Sequence, residues 1–487
     1  MGIKRSGLAG AVLMAQLLGA CGDDDEVDAQ QDASVSEDAA TGELVDAARV
    51  DAALDSGVVD ASNQAVPDAQ ASDAGVVGRE GFLLVAELAE GKESIHAYSL
   101  PELQHTGQID DVKLGNHLGA LALKDGRVVT SDDKHDQLIA IRVDSAGKPA
   151  IVNRADANLG TGAVWGCGDK DLRYLAVSSG HDGVEQVANI LKLDDFTLRE
   201  FPITVPAVNG ASEEVHATVA GDPAHLFASV GGEIRVWPLA DVLAGTATTA
   251  ATIPINTGSH GIVVSHRTGV LYITTAAGTG FDGAALQMPF ARTQLVPWDA
   301  DGLSTGRNAR PRLSYDGRYI YGAIAQTVPE GAERWAERPV DLHAADLDTK
   351  TAKRTALTKG IVPKFQLSKS LALFANVDET GASQAILVDV VAGSPTFQQV
   401  VARVPLARLG NGPVVGQATS GKQALASAIT PDGKWAFVSH GGDSKISVID
   451  TTTRTVVRVL ETPTSLANGG YLFAVQPGID PVDTCTR

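Results

Sequence analysis

Short runs of β-branched and aromatic residues, tight-turn sequences between them, and a recurrence at roughly fifty residues predict an all-β chain. The expected architecture is a β-propeller of seven or eight four-stranded blades, with eight preferred. The clearest unit runs from Ala424 to Leu460. Within it, Pro431-Asp432-Gly433 and Gly441-Gly442-Asp443 are turn formers, because proline pre-sets φ and glycine tolerates the left-handed region. Trp435, Phe437, Val438, Ile446, Val448 and Ile449 suit a pleated, buried surface. One such unit cannot bury both faces of its sheet, so similar units must stack beside it.

Taken in order, the chain opens with Lys4 and Arg5, a short apolar run from Leu8 to Ala20, and then Cys21. A run this short with a basic start is a secretory signal rather than a membrane span. Leu18-Gly19-Ala20-Cys21 resembles the bacterial lipoprotein box, which implies cleavage before Cys21, lipids (palmitate among them) on that residue, and retention at a membrane outside the cytoplasm, the outer membrane being favoured. Residues 1–20 are therefore expected to be a signal peptide.

Residues 21–78 are a different material. From Gly22 to Gly78 there are fifteen acidic residues, one basic residue (Arg49) and no aromatic side chain. Such a segment cannot bury enough surface to offset its ordering entropy, so a disordered acidic tether is expected. Calcium-loop spacing is absent from it.

Residues 79–487 are the expected propeller domain. Their formal charge is −8, with no basic stripe, which argues against nucleic acid as a partner. The first strand-like runs, Phe82 to Ala86 and Ser94 to Leu100, read as the middle of a blade that lacks its innermost strand. The second unit begins at His117, the third near Gly162, the fourth at Val215, the fifth at Ser259, the sixth at Pro311, the seventh at Val362 and the eighth at Ala424. Gly278 to Trp298 and Pro329 to Arg338 read as excursions on one rim. Gly470 to Val475 is a final strand without a partner of its own. Orphan strands at both ends are expected to pair, closing the ring and removing the exposed edges of an open sheet.

The pattern from Ala428 to Asp450 resembles the YVTN-type β-propeller family, and Ile234-Arg235-Val236-Trp237 resembles the outer part of a WD-repeat blade. The resemblance is strong for the eighth unit and weaker toward the third and seventh. It implies a scaffold found in surface-layer and lipoprotein domains. Related propellers include lactonases, quinoprotein dehydrogenases and haem enzymes, so no shared chemistry comes with the fold.

Candidate chemistry is sparse. Three expected channel strands start at histidine, His117, His216 and His260, and imidazoles converging on one axis would suit a transition metal or haem. Arg312 and Lys364 stand at corresponding positions and would suit an anionic ligand. Their alternative role is that of polar groups on the channel rim, bonded to backbone or water. Asp132, Asp133, Asp169 and Glu213 are the carboxylates that a lactonase-like site would need, and Glu213, Glu214 and Asp169 could answer the cations. His181 and His440 fall in turn sequences, where an exposed histidine is expected. No GxSxG, HExxH, P-loop or haem-attachment motif occurs. With Cys21 lipidated, Cys167 and Cys485 remain as an even pair in an oxidising compartment, where a disulfide is expected.

The function expected from the sequence is a membrane-anchored, extracytoplasmic, non-catalytic binding or surface scaffold without a cofactor. Its partners would be membrane lipid through Cys21 and a protein, glycan or small ligand on a propeller face. The alternative is an envelope hydrolase or a metal-binding oxidoreductase using the central channel.

Overall fold

The computed structural model describes residues 80–485, apart from 90, 116–118, 181–184, 206–214, 231, 249–250, 256, 276–279, 298–310, 326–331, 363–364, 408, 411, 419–424, 441–442, 464–465, 467–469 and 480–483. Cys21, the signal peptide and the tether lie outside the described residues. Among the described residues of 78–487 the chain is a succession of sheets, antiparallel but for one parallel contact.

The first sheet begins with β1 (Gly81–Glu87), β2 (Ser94–Leu100) and β3 (His105–Asp110). A four-stranded sheet follows, made of β4 (Ala120–Ala122), β5 (Arg127–Asp132), β6 (Gln137–Val143) and β7 (Pro149–Asp156). Next come β8 (Val164–Gly168), β9 (Tyr174–Ser178), β10 (Glu185–Lys192) and β11 (Thr197–Thr204). The set β12 (His216–Ala220), β13 (His225–Val230), β14 (Glu233–Pro238) and β15 (Ala251–Pro254) follows, with a short helix α1 (Leu239–Ala244) before its last strand. Four further four-stranded sheets complete the series. They are β16 (Thr257–Ser265) with β17 (Val270–Thr275), β18 (Gly280–Ala285) and β19 (Arg292–Pro297), then β20 (Arg312–Leu313), β21 (Tyr319–Ala325), β22 (Pro339–Asp346) and β23 (Thr351–Lys359). The last two are β24 (Phe365–Leu367), β25 (Leu371–Val377), β26 (Ser383–Asp389) and β27 (Val400–Pro405), then β28 (Ser427–Ile429), β29 (Trp435–His440), β30 (Lys445–Asp450) and β31 (Thr455–Glu461). The final strand β32 (Tyr471–Val475) returns to the first sheet and pairs with β1, from Phe82 opposite Val475 to Ala86 opposite Tyr471.

Two sequence expectations are corrected. Six sheets are separate four-stranded blades, not seven or eight; β8 and β12 pair in parallel and join the strands between β8 and β15 into one eight-stranded sheet. Gly278 to Trp298 is not a rim excursion, because β18 and β19 lie within it and pair with β17 and with each other. The run Gly280-Phe281-Asp282-Gly283-Ala284-Ala285 has no β-branched residue and therefore gave no strand signal. Gly283 serves close packing there, since a Cβ on it would lie 2.2 Å from Thr293 Oγ1. In the other expected excursion, Ala332–Glu337 forms a short 3₁₀ helix whose Trp335 is buried.

Position within a sheet explains the composition of each strand. The middle strands β1, β2 and β13 are buried along their whole length because neighbouring sheets cover both faces. Their sequences accordingly are dominated by apolar and small residues, with Glu87, His96 and His225 as buried polar exceptions. The outermost strands β7, β11 and β23 alternate between exposed and partly buried positions and carry Arg, Lys, Glu and Thr. Charge on an outer strand guards an otherwise sticky edge. The core is distributed among eight apolar clusters, each shared by neighbouring four-strand units. One unites Val85, Tyr98 and Leu472 with Phe437, Val448 and Leu460, packing the last strands of the chain against the first.

Turn chemistry repeats. Between β28 and β29, Gly433 N donates to Thr430 O at 2.8 Å, while Asp432 Oδ1 accepts from Thr430 Oγ1 and Lys434 N. Gly433 has φ +81°, which an L side chain rarely adopts. The same device recurs at Ser314-Tyr315-Asp316-Gly317, with Gly317 N donating to Ser314 O at 2.9 Å. Asp450 and Asp346 close the turns after β30 and β22 by accepting backbone N–H bonds at 2.8 and 2.9 Å.

Candidate functional site

Innermost strands of five of the sheets line a common channel. A cavity of about 130 Å³ in it is lined by residues of β4, β20, β24, β28 and β32, with Val128, Pro431 and Cys485. Ala120, Leu121, Leu313, Leu367, Ile429 and Leu472 give it a mainly aliphatic wall. Arg312 and Gln366 bring polar side chains to the same lining. Arg312 is buried, and its guanidinium carbon lies 5.5 Å from the centre of the Phe365 ring, where the aromatic face attracts a cation.

The sequence-predicted residues occupy separate settings. His216 opens β12 and is buried; its backbone N–H donates to Ser229 Oγ at 3.2 Å. It does not line the cavity that Arg312 reaches. His117 and Lys364 lie outside the described residues, as do Glu213, Glu214 and His181. For His260, the description covers its backbone place within β16 alone. Among the described residues, no group of three or more His, Cys, Asp and Glu side chains is placed to hold a metal ion.

The proposed carboxylate cluster is also divided. Asp132 ends β5, binds His135 Nδ1 at 2.8 Å and accepts from Lys113 N at 3.2 Å. Asp169 follows β8 and accepts from Arg173 N at 2.7 Å, Arg173 Nε at 2.8 Å and Tyr174 N at 2.9 Å. One follows the second strand of its sheet and the other follows a first strand. Antiparallel succession puts those two positions at opposite ends of a sheet. Both carboxylates are spent on local turns.

His440 corrects the expectation of an exposed turn histidine. It is the last residue of β29, is 1% exposed, and its Nε2 lies 2.8 Å from Ser447 Oγ. Burial, more than its charged neighbours, holds its imidazole below the usual histidine range.

A recurring hydroxyl was not recognised in the sequence. Ser131, Ser178, Ser229 and Ser439 stand at or near the ends of second strands. They accept backbone N–H bonds from Gly115, Ala217, His216 and Ala426 at 3.2, 2.9, 3.2 and 2.8 Å. Each bond satisfies the backbone of a chain segment arriving at a channel strand, a group that would be costly to bury alone. The signal was present as a serine at or near the end of successive second strands.

Cys167 and Cys485 are joined by a disulfide across 318 residues of sequence. Two neighbouring bonds hold the tail in the same place: Gly168 N donates to Thr484 O at 2.8 Å, and His266 Nε2 lies 3.1 Å from Thr484 Oγ1.

No family model and no curated protein matches the chain. Among solved structures it is similar to AztD from Citrobacter koseri, with TM-scores of 0.57 and, for an apo structure, 0.56. Identity is 13% in both, covering 82% of this chain and 98% and 100% of those chains. It is also similar to dihydro-heme d1 dehydrogenase NirN in complex with DHE, at a TM-score of 0.51 and 15% identity over 80% of this chain and 76% of that one. At such identities the likeness is one of fold.

Proposed function

We propose that the protein is a lipid-anchored, extracytoplasmic β-propeller acting as a non-catalytic binding or surface scaffold. The observation that carries this reading is the mainly aliphatic lining of the central cavity. Hydrolysis or electron transfer needs convergent acid–base, metal or cofactor-ligating groups. Aliphatic walls with one buried arginine offer shape and a single charge instead. The partner is a protein, glycan or small ligand held on a face of the propeller.

Anchoring at Cys21 and the acidic stretch after it would give the propeller reach from an outer membrane. A disulfide between Cys167 and Cys485 suits an oxidising compartment and supports placement outside the cytoplasm. The pattern at Ala428 to Asp450 keeps the YVTN-type assignment as part of the proposal. The name of the dehydrogenase NirN carries no redox role to this chain.

Two arms of one experiment test the proposal in a bacterium with two membranes. Wild-type protein is expected to incorporate labelled fatty acid and fractionate with membranes, whereas Cys21→Ser is expected to be unlabelled and released. The purified protein is expected to show no turnover of a lactone panel or of redox dyes, with or without added divalent metal. Saturable turnover that falls in Arg312→Ala or Gln366→Ala would contradict the non-catalytic reading; equal fractionation of wild type and Cys21→Ser would contradict the anchor.

A further inference from the structure

The outer half of the first sheet carries a histidine pair that the binding role does not use. His96 lies on β2 and is 2% exposed, while His105 opens β3 and is exposed to solvent. His96 Nδ1 and His105 Nε2 face each other at 3.2 Å. A register shift brings them together. Ala97 pairs with Gly107, but the next residue, Tyr98, pairs with His105, so Thr106 is the extra residue of a β-bulge. Without that shift, the side-chain alternation of a strand would turn His105 to the other face. The bulge is held by Thr106 Oγ1 donating to Ala97 O at 3.1 Å.

The hydrogen bonds around the buried ring are compatible with a ligating tautomer. Ser94 Oγ donates its only proton to Lys92 O at 3.2 Å and lies 3.0 Å from His96 Nε2. With the serine proton on Lys92 O, the serine oxygen accepts from His96, an arrangement that puts the ring proton on Nε2 and turns the Nδ1 lone pair toward His105. Burial, and after it the neighbouring imidazole, holds His96 below the usual histidine range, favouring the neutral ligand form.

We propose that His96 and His105 form a two-imidazole site for a divalent transition-metal ion of the zinc or copper class. Two nitrogens each about 2.0–2.1 Å from one ion stand roughly 2.8–3.4 Å apart at square-planar to tetrahedral angles, and the observed separation lies in that interval. On binding, the proton of His105 Nε2 moves to its Nδ1, so both facing nitrogens present lone pairs and no net proton is lost. Ser94 is the positioning residue that keeps His96 in the ligating tautomer. Gln108 and Asp110 share that face, opposite His96 and Ser94, and Gln108 Nε2 donates to Asp110 Oδ1 at 2.7 Å. The carboxylate adds negative charge beside the cation, and solvent at the exposed His105 completes the coordination.

Zn²⁺ titration of the full-length protein by calorimetry, with Cu²⁺ electron paramagnetic resonance, tests the site. Wild type is expected to bind one more equivalent than His105→Gln, a substitution on an exposed position that leaves the fold intact. The Cu²⁺ spectrum is expected to show two equivalent nitrogens in wild type and to lose that signature in His105→Gln. Ser94→Ala is expected to weaken the same equivalent about tenfold. Unchanged stoichiometry and affinity in His105→Gln, or a wild-type spectrum with a single coordinated nitrogen, would overturn the proposal.

Discussion

Asp133 shows how strongly one residue can be altered by its setting. Its Oδ1 is closed off from solvent without a hydrogen-bond partner among the described residues. Glycines crowd the carboxylate: a Cβ on Gly115 would lie 2.7 Å from Oδ1, and one on Gly162 would lie 2.9 Å from Oδ2. Burial pushes the Asp133 carboxyl up to about 6, against smaller opposing effects of Ser131, the Ala163 backbone and Lys113. The folded protein therefore binds this proton more tightly than the unfolded chain. The associated stability is fully present below the unfolded value near 3.8 and is lost as pH rises through about 6. Asp133→Asn is expected to flatten that segment of the stability curve and to gain up to about 3 kcal/mol at pH 8, as measured by urea unfolding from pH 4 to 8. An unchanged slope between pH 4 and 6 would count against the burial account. Sequence spacing marked Asp132, Asp133 and Asp169 as candidate acids, but it could not tell which end of a strand each would occupy. That distinction separates a converging cluster from carboxylates committed to separate turns.

At the scale of strands, legibility followed side-chain type. Runs such as Phe82 to Ala86 and Trp435 to Ser439 announced themselves because strands covered on both faces need continuous apolar residues. β18 was hidden because glycine and alanine can satisfy the same packing without β-branched signals. The fusion of β8 with β12 was hidden too, since pairing between units leaves no local periodicity. Gly166 belongs to that junction. It pairs with Ala217 across the parallel contact and sits at the register shift between β8 and β9, where a Cβ would lie 1.9 Å from Ala176 O. That carbonyl is backbone and cannot swing away. Gly166→Ala is thus expected to cost about 1–3 kcal/mol, read as a lower midpoint of chemical unfolding. A midpoint equal to wild type would mean that β8 and β9 are less tightly apposed at Gly166 than described.

For the molecule as a whole, the two orphan strands were the most informative part of the sequence. Phe82 to Ala86 lacked an inner neighbour and Gly470 to Val475 lacked any neighbour, and β1 and β32 pair antiparallel. The Cys167–Cys485 disulfide then ties the tail beyond β32 to the sheet containing β8. A cross-link spanning so long a loop restricts the unfolded chain and contributes roughly 2–5 kcal/mol in the entropic description. Chemistry was much less legible than closure, because the features that identify a blade are turns and pleats. Arg312 could be singled out as a polar residue on an inner strand, whereas the bulge that aims His105 at His96 depends on a register no spacing rule supplies.

Closure of the ring by its own C-terminus is the central structural claim, and amide hydrogen exchange measures it directly. In the oxidised full-length protein, amides of 471–475 and 82–86 are expected to exchange as slowly as those of the middle strands β13 and β25. Cys485→Ser is expected to speed exchange first at 471–475 and then along β1, leaving β20 to β27 protected. Exchange of 471–475 at the rate of an exposed tail in the oxidised protein would contradict the closed ring.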